Sequence, residues 1–245
     1  MQVDVPPNMT RLLYFDEEAL QLECLALLLA AQGYSSQIAQ YKMDRQLGDG
    51  AFSQVGLGRH RHTGEKFAIK IISAAKATGN QNFSLKREVE LHQRCRQCPN
   101  IVRFKEKFQV GDFHYIVMEY VKGGDLQQYF AARDFRPMPL ELVRSITLQI
   151  ANALVYLRKQ RIIHRDIKLE NILLSNFTEQ CKAKLIDFGL AETLHSQAKT
   201  GSRAGTMGYV APEILAGGLY DFSVDVWSLG CLLYVMLTMM LPFQQ

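Results

Sequence analysis

After residue 40 the apolar residues alternate with polar ones in short runs, a pattern that is typical of strands. Turn residues separate these runs, and one longer segment has helical spacing and ends before Pro99. The predicted elements are a strand, turn and strand over residues 43–58, a strand at Lys66–Ile72, a helix at about Phe83–Gln97, and strands at Val102–Gln109 and Tyr115–Tyr120.

The second half of the chain has mainly helical spacing. After Gly123-Gly124, one apolar stripe recurs every three or four residues, at Leu142, Ile146, Ile150, Leu154 and Leu157. The segment Val226–Leu241 has apolar residues around the whole helix, which favours a helix in the middle of a core over a membrane span. Strands first and helices afterwards predict an α+β protein of two unlike lobes with a cleft between them.

Residues 1–40 are expected to form an extension with one helix, from about Asp16 to Ala31, that packs against the following domain. Acidic residues stand where a secretion signal needs basic ones, so a signal peptide is not expected. The formal net charge of +4 comes without a block of Lys or Arg, which does not favour nucleic-acid binding. We expect no membrane association.

The 245 residues contain five scattered cysteines, which suits a reducing compartment, with the cytoplasm expected and the nucleus as an alternative. Cys95 and Cys98 form a single C-x-x-C pair, and His92 precedes it by three residues. A zinc site needs four ligands, and the chain offers no second pair at suitable spacing. Two ordinary thiols are therefore the favoured interpretation.

A glycine-rich turn joins the first two predicted strands. Glycines allow the backbone to approach a polyphosphate closely, so that its amide groups face the phosphate oxygens. Ser53 replaces the third glycine of the usual pattern, and two glycines in a hairpin are common, so this signal is weak alone. The residues are Leu47, Gly48, Asp49, Gly50, Ala51, Phe52, Ser53, Gln54 and Val55.

In the third predicted strand, alternation places Ala68 and Lys70 on one face. A small residue beside an ammonium group suits a purine ring next to phosphates, although a surface lysine on an edge strand remains open. In the following helix Glu88 lies on the inward stripe, while Glu90 points nearly the opposite way. A carboxylate on a buried face needs a partner, and Lys70 is the candidate.

Four further motifs follow in order. They are His164-Arg165-Asp166-Ile167-Lys168-Leu169-Glu170-Asn171, then Asp187-Phe188-Gly189, then Gly205–Glu213, which ends in Ala-Pro-Glu, and then Asp225–Gly230. Together with the earlier segments, these motifs resemble the protein kinase family over residues 41–243. Lys168 and Thr206 resemble the serine/threonine class, and the segments Leu47–Val55 and Gly205–Glu213 look most like the calmodulin-dependent kinase group.

The resemblance implies the roles of the catalytic residues. Asp166 accepts or orients the proton of the substrate hydroxyl, and Lys168 contacts the γ-phosphate. Asn171 and Asp187 hold Mg²⁺, while Lys70 contacts the α- and β-phosphates of ATP when it is paired with Glu88.

The resemblance also implies an adenosine site. Met118 takes the gatekeeper position, the backbone of Glu119 and Val121 bonds adenine, and Asp125 reaches the ribose. The adenine ring is expected to lie between Val55, Ala68 and Leu173.

Two further expectations concern regulation. Arg165 resembles the arginine of kinases whose activation segment is ordered by a phosphate, and Ser202, with Thr200 as second choice, is the expected site for an upstream kinase. His92 stands where the family usually has an apolar residue, stacked with Phe104, His164 and Phe188. We interpret it as a core histidine with satisfied hydrogen bonds rather than as a pH-sensitive switch.

The resemblance predicts a two-lobed protein kinase fold. An N-lobe over residues 41–121 is expected to have a five-stranded antiparallel sheet plus one helix. A C-lobe over residues 122–245 is expected to be mainly helical and incomplete, truncated after the Asp225 helix, so that one flank of this helix faces water and Glu213 lacks its usual Arg partner.

The expected reaction transfers the γ-phosphoryl group of Mg-ATP to a Ser or Thr of a protein substrate. One alternative is an inactive, truncated kinase-like scaffold that only binds nucleotide. Another is a phosphotransferase acting on small molecules, which the Ala211-Pro212-Glu213 motif and the long segment from Asp187 to Glu213 argue against.

Overall fold

The computed structural model describes residues 37–50, 53–73, 79–110, 113–178, 180–194 and 200–243. The helix expected at Asp16–Ala31, the tip residues Ala51 and Phe52 of the glycine-rich turn, and the turn at Gly111-Asp112 lie outside these residues.

The order of strands and helices follows the sequence-based expectation, with boundaries shifted by a few residues. The strands are β1 (Tyr41–Gly50), β2 (Ser53–His60), β3 (Lys66–Ser73), β4 (Phe104–Val110), β5 (Phe113–Glu119), β6 (Ile162–Ile163), β7 (Ile172–Leu174), β8 (Ala183–Leu185) and β9 (Glu192–Thr193). The helices are α1 (Gly79–Arg94), α2 (Leu126–Ala131), α3 (Leu140–Lys159), α4 (Pro212–Leu215) and α5 (Ser223–Thr238), with short 3-10 turns at Ile38–Gln40 and Leu169–Asn171.

The expected five-stranded sheet is confirmed, with the strand order β1-β2-β3-β5-β4. Strands β1, β2, β3 and β5 pair antiparallel in that order. In β3 the residues alternate between two environments, as a period of two requires. Phe67, Ile69 and Ile71 enter a buried apolar cluster on one face, while Ala68 and Lys70 lie on the other.

The two edges of this sheet meet through side chains. Tyr41 of β1 donates a hydrogen bond from its hydroxyl to Glu106 of β4, and its ring stacks on Phe108 with centroids 6.4 Å apart. Burial first, and then the adjacent Glu106 carboxylate, raise the pKa of the Tyr41 hydroxyl. The strong twist of a sheet allows such an approach of its edge strands. As a result, the apolar face is curled around its own cluster of side chains.

The chain divides into two compact units. One contains β1 to β3 and Lys105–Tyr120, and the other contains Gly79–Phe104 and the chain from Val121 onward. This division differs from the lobe boundary expected from the sequence, because α1 groups with the second unit. The reason is the last turn of α1, where Leu91 enters the core of the second unit and the His92 ring stacks on Phe188.

The core of the second unit forms around α3. Its predicted stripe is buried at Leu142, Ile146, Ile150 and Leu157, and half-buried at Leu154. By length and apolar composition α3 would suffice to cross a bilayer, as central helices of globular proteins often do.

A polar side chain on α3 fixes the position of β8. The Gln149 amide donates to the Cys181 carbonyl at 3.0 Å and accepts from the Ala183 amide at 2.9 Å. Asn100, in the connection that follows α1, donates to the Gln149 Oε1 atom at 3.2 Å. Strand β8 leads directly to Asp187, so this network supports one of the residues singled out in the sequence.

Helix α5 has apolar residues around its circumference, as expected, and it buries Leu229, Leu232 and Met236 in the core. One flank faces water, where the exposed fraction of Val226 is 63% and that of Leu237 is 39%. Interior apolar positions of a core helix usually remain dry.

The C-x-x-C pair lies in the core of the second unit, with both thiols free and buried. Within the described ranges, no three His, Cys, Asp or Glu side chains cluster in a way that would hold a metal ion. Burial raises the pKa of Cys95 to about 12, and it also raises that of Cys98.

We therefore expect both thiols to resist alkylation in the native protein at pH 8, because the thiolate is the reactive form and burial suppresses it. Intact mass after a short iodoacetamide pulse should show labelling at Cys95 and Cys98 only after addition of denaturant. Native labelling at the same rate as in the denatured chain would contradict the buried assignment.

Candidate active site

The segment His164–Asn171 forms a loop after β6, and a buried carboxylate holds its backbone. Asp225, 3% exposed near the start of α5, accepts the amide of His164 with one oxygen and the amide of Arg165 with the other, both at 2.8 Å. Burial raises the pKa of the Asp225 carboxyl, while His164, these amides and Arg165 act against this rise. Arg165 needs such support because its φ of 69° lies in the left-handed region.

His164 is fixed at both ring nitrogens. Its Nδ1 atom accepts the amide of Asp166 at 3.3 Å, and its Nε2 atom lies 3.0 Å from the carbonyl of Ile186 and donates to it. One ring nitrogen is thus an acceptor and the other a donor, as in a neutral imidazole. The ring also packs edge-on against Phe188 at 5.4 Å.

The Asp166 carboxylate lies at the centre of a compact polar cluster. Its Oδ2 atom accepts the Asn171 amide at 2.8 Å and lies 3.0 Å from the Lys168 ammonium group. Its Oδ1 atom accepts the Thr206 hydroxyl at 2.6 Å, and Lys168 also donates to Thr206 at 2.8 Å. These contacts fix the carboxylate orientation without exposing it, since Asp166 is 8% exposed.

Asn171 and Asp187 lie on adjacent segments. The Asn171 carbonyl accepts the Ile186 amide at 3.0 Å, which places Asp187 next to the loop. The two amide hydrogens of Asn171 point to the Asp166 carbonyl and carboxylate, each at 2.8 Å, so the Asn171 Oδ1 atom faces away from them. An amide oxygen beside a carboxylate is a donor set that Mg²⁺ prefers, with nucleotide phosphates and water completing six ligands. The residues present therefore fit this ion.

The Asp-Phe-Gly turn is tight. Asp187 has a φ of 65°, and its Oδ1 atom accepts the Gly189 amide at 3.0 Å. A Cβ atom at Gly189 would lie 3.1 Å from that oxygen and 3.8 Å from the Glu88 carboxylate. A side chain here would crowd the turn, and the measurement also places Glu88 of α1 beside this turn.

Glu88 has the orientation that the helical periodicity predicts. It is half-buried on α1, on the same side as the buried Val89 and His92, whereas Glu90 is exposed. The ion pair expected between Glu88 and Lys70 would join the two units and stays a prediction.

His92 has the environment of a core residue. Its Nε2 atom donates to the Val102 carbonyl at 2.6 Å. Its ring stacks on Phe188 at 5.1 Å and meets Phe104 edge-on at 5.7 Å. A polar ring is accommodated because its donor is satisfied by the backbone.

The activation segment approaches the catalytic loop closely at Gly205. This residue has a φ of 125°, and a Cβ atom there would lie 3.0 Å from the Arg165 carbonyl oxygen. Glycine is required both by the backbone conformation and by the close approach. Thr206 follows directly, which explains how its hydroxyl reaches Asp166.

The Arg165 guanidinium group lies beneath this segment. It donates to the Glu192 carboxylate at 2.7 Å, to the Leu190 carbonyl at 2.7 Å and to the Tyr220 hydroxyl at 2.9 Å. It also donates to the Ser202 hydroxyl.

In the first unit, the expected nucleotide residues share one face of the sheet. Val55 pairs with Lys70, Ala68 pairs with Met118, and cross-strand partners point to the same side. In the β1–β2 hairpin, Gly48 pairs with Val55. The space beside Gly48 is open, since a Cβ there would have no heavy atom within 4 Å.

The other expected residues of this unit lie close by in the chain. Leu47, Asp49 and Gly50 belong to β1, Ser53 begins β2, and Glu119 ends β5.

In the second unit, Val121 is buried and Asp125 caps α2 by accepting the Gln128 amide at 2.8 Å. The backbones of Asp125 and Leu173 form a bridge, which brings these two expected nucleotide contacts together. Burial raises the pKa of the Asp125 carboxyl, against the lowering by the Gln128 amide.

Sequence reasoning did not assign three residues that organise this site. Asp225 had a usable signal, because a carboxylate within an otherwise apolar helix needs partners, the same argument that singled out Glu88. Glu192 and Tyr220 had none, since they lie 27 and 55 residues from Arg165 in the chain.

A fixed carboxylate, an adjacent ammonium group and two oxygen ligands suited to Mg²⁺ define a class of enzymes that transfer phosphoryl groups to hydroxyls. The chain belongs to the protein kinase family: the family described as "Protein kinase domain" matches residues 41–245.

The relatives are serine/threonine kinases by name. Serine/threonine-protein kinase cds1 of Schizosaccharomyces pombe is 39% identical over 221 residues, which cover 85% of this chain and 46% of that protein. Calcium/calmodulin-dependent protein kinase type II of Caenorhabditis briggsae is 38% identical over 206 residues (83% and 38%). Serine/threonine-protein kinase RAD53 of Saccharomyces cerevisiae is 38% identical over 214 residues (82% and 26%). The chain thus spans less than half the length of each relative.

We expect Asp225→Asn to destabilise the protein by about 2 to 4 kcal/mol, because an amide nitrogen replaces one acceptor of two buried backbone donors. Asp221→Asn is the matched control, since its oxygen accepts only the Ser223 amide at 2.9 Å and Asn can do the same. Urea unfolding of both variants measures the difference. Equal midpoints for the two variants would contradict the role given to Asp225.

Proposed function

We propose that this chain is the catalytic part of an ATP-dependent serine/threonine protein kinase. The observation that supports this most is the Asp166 carboxylate, held by Asn171, Lys168 and Thr206. A group held this firmly in a shielded position is suited to orient a hydroxyl for attack.

The contacts of Asp166 indicate which oxygen meets the substrate. Its Oδ2 atom is engaged by both Asn171 and Lys168, whereas Oδ1 accepts only the Thr206 hydroxyl. Each carboxylate oxygen can accept about two hydrogen bonds. We assign Oδ1 as the atom that accepts the hydrogen of the substrate hydroxyl, with Thr206 beside it.

Lys168 is assigned to the transferred phosphoryl group. Its ammonium has three hydrogens, and two of them are directed at Asp166 and Thr206, which leaves the third for a γ-phosphate oxygen. Asn171 and Asp187 would hold Mg²⁺, which supplies positive charge to the ATP phosphates when it is bound. The protein contributes positioning and charge, with little covalent chemistry of its own.

The nucleotide contacts in the first unit are proposed on the shared sheet face. Val55, Ala68 and Met118 would contact adenine, and Lys70 would contact the α- and β-phosphates. The open space beside Gly48 supports a close approach of phosphate to the hairpin backbone.

The wider biology is proposed from the same features. The substrate would be a protein that presents Ser or Thr, and no nucleic-acid or membrane partner is proposed. Free thiols at Cys95, Cys98, Cys181 and Cys231 support a reducing compartment, the cytoplasm or the nucleus.

We expect Asp166→Asn to lower turnover by about 10²-fold or more, because the amide cannot take a proton from the substrate. Asp134→Asn, in an exposed loop, is the matched control and should keep wild-type turnover. Release of ADP with a protein substrate measures both, and a fluorescent ATP analogue should bind all forms alike. Full turnover in Asp166→Asn would contradict this assignment.

Two other outcomes would redirect the proposal. Nucleotide binding without transfer in the wild-type chain would indicate a scaffold, and transfer to small alcohols in preference to protein would indicate a small-molecule phosphotransferase.

We further propose Ser202 as the site for an upstream kinase, with Thr200 second. Ser202 is exposed, and its hydroxyl already contacts Arg165. A phosphate there would gain charge-assisted bonds from Arg165.

Active protein should carry the phosphate by mass spectrometry, and phosphatase treatment should lower turnover several-fold. The Ser202→Ala, Thr200→Ala double variant should stay at the phosphatase-treated level. Full activity in this double variant would count against the site.

A further inference from the structure

The Arg165 guanidinium group carries a charge in a nearly closed environment, with 4% of its side chain exposed. A buried cation is tolerated when an anion and hydrogen-bond acceptors surround it. The acceptors at Leu190 and Tyr220 are neutral, while the carboxylate in contact is that of Glu192, at 2.7 Å. Glu192 thus supplies the negative charge in the unmodified chain.

The location of Glu192 gives this contact a consequence for the catalytic loop. Glu192 belongs to β9 and pairs with Ile163 of β6. The next residues after Ile163 are His164, Arg165 and Asp166, the start of the catalytic loop. Backbone pairing and the side-chain ion pair therefore act on the same short segment, one residue from the Asp166 carboxylate.

Glu192 also holds the activation segment. Its Oε2 atom accepts the Thr200 hydroxyl at 3.2 Å. The Thr200 backbone forms two hydrogen bonds with Tyr220, at 3.1 and 3.0 Å, and the Tyr220 hydroxyl donates to the Ser202 carbonyl. One carboxylate thus joins the residue before Asp166 to the stretch that ends at Gly205 and Thr206.

We propose that Glu192 is a positioning residue that serves as the resident anion of Arg165 and keeps the activation segment docked before any phosphate is added. This inference rests on the proposed kinase function. The basal activity of the unphosphorylated chain depends on Glu192, and a phosphate on Ser202 strengthens a site that is already formed.

The test compares phosphatase-treated full-length variants. Glu192→Gln removes the charge and keeps the shape. Ser202→Asp in that background returns a carboxylate to Arg165 from the opposite side, since the Ser202 hydroxyl already contacts the guanidinium. Glu192→Asp keeps the charge on a shorter side chain. Glu141→Gln, an exposed acid with a 3.7 Å contact to Arg144, is the matched control.

The expected result is a fall in kcat of about tenfold in Glu192→Gln, the effect of losing one charge-assisted hydrogen bond. The KM for ATP should stay unchanged, because Glu192 contacts none of the proposed nucleotide residues. Glu192→Asp should retain part of the activity, the double variant Glu192→Gln, Ser202→Asp should regain most of it, and Glu141→Gln should equal the wild type.

Limited trypsin digestion gives a second readout that needs no activity. Arg203 is exposed in the docked segment, and its cleavage should accelerate in Glu192→Gln and slow again in the double variant. If the wild-type chain transferred no phosphate, the proposed function would fail while this cleavage series still tested Glu192. Unchanged kcat and cleavage in Glu192→Gln, or a loss that Ser202→Asp does not reverse, would overturn the inference.

Discussion

The catalytic loop depends on one buried carboxylate. Asp225 accepts the two successive amides of His164 and Arg165, and without this acceptor both donors would be buried and unsatisfied. The interaction also fixes a backbone with positive φ at Arg165, a conformation that costs about 1 kcal/mol or more and persists only where the surroundings enforce it. The orientation of Asp166, the next residue, follows from this anchor.

A second constraint is the buried charge of Arg165. The same residue that Asp225 fixes through the backbone carries a guanidinium group that must be neutralised, and the chain recruits Glu192, Tyr220 and Ser202 to surround it. Backbone geometry and charge neutralisation are thus satisfied at one residue by different parts of the chain. The docked activation segment then brings Thr206 to the Asp166 carboxylate.

Sequence reasoning predicted the strand and helix order, the inward orientation of Glu88 and the buried stripe of α3, because each follows from local periodicity. The grouping of Asp166, Asn171 and Asp187 could be predicted only through the family resemblance. The contacts of Glu192 and Tyr220 with Arg165 were not predicted, since they join positions distant in the chain without a repeating pattern. The grouping of α1 with the second unit was missed for the same reason, as it depends on the packing of Leu91 and His92.

The closure of the five-stranded sheet has a consequence for local opening. Because Tyr41 joins the two edge strands, the first unit encloses a hydrophobic cluster built from its own strands and Ile38, separate from the cluster around α3. A region with its own core can open without loss of its neighbour's core. Amide protons of β3 and those of α3 should therefore exchange with solvent through separate events, so that the sheet behaves as an independent foldon.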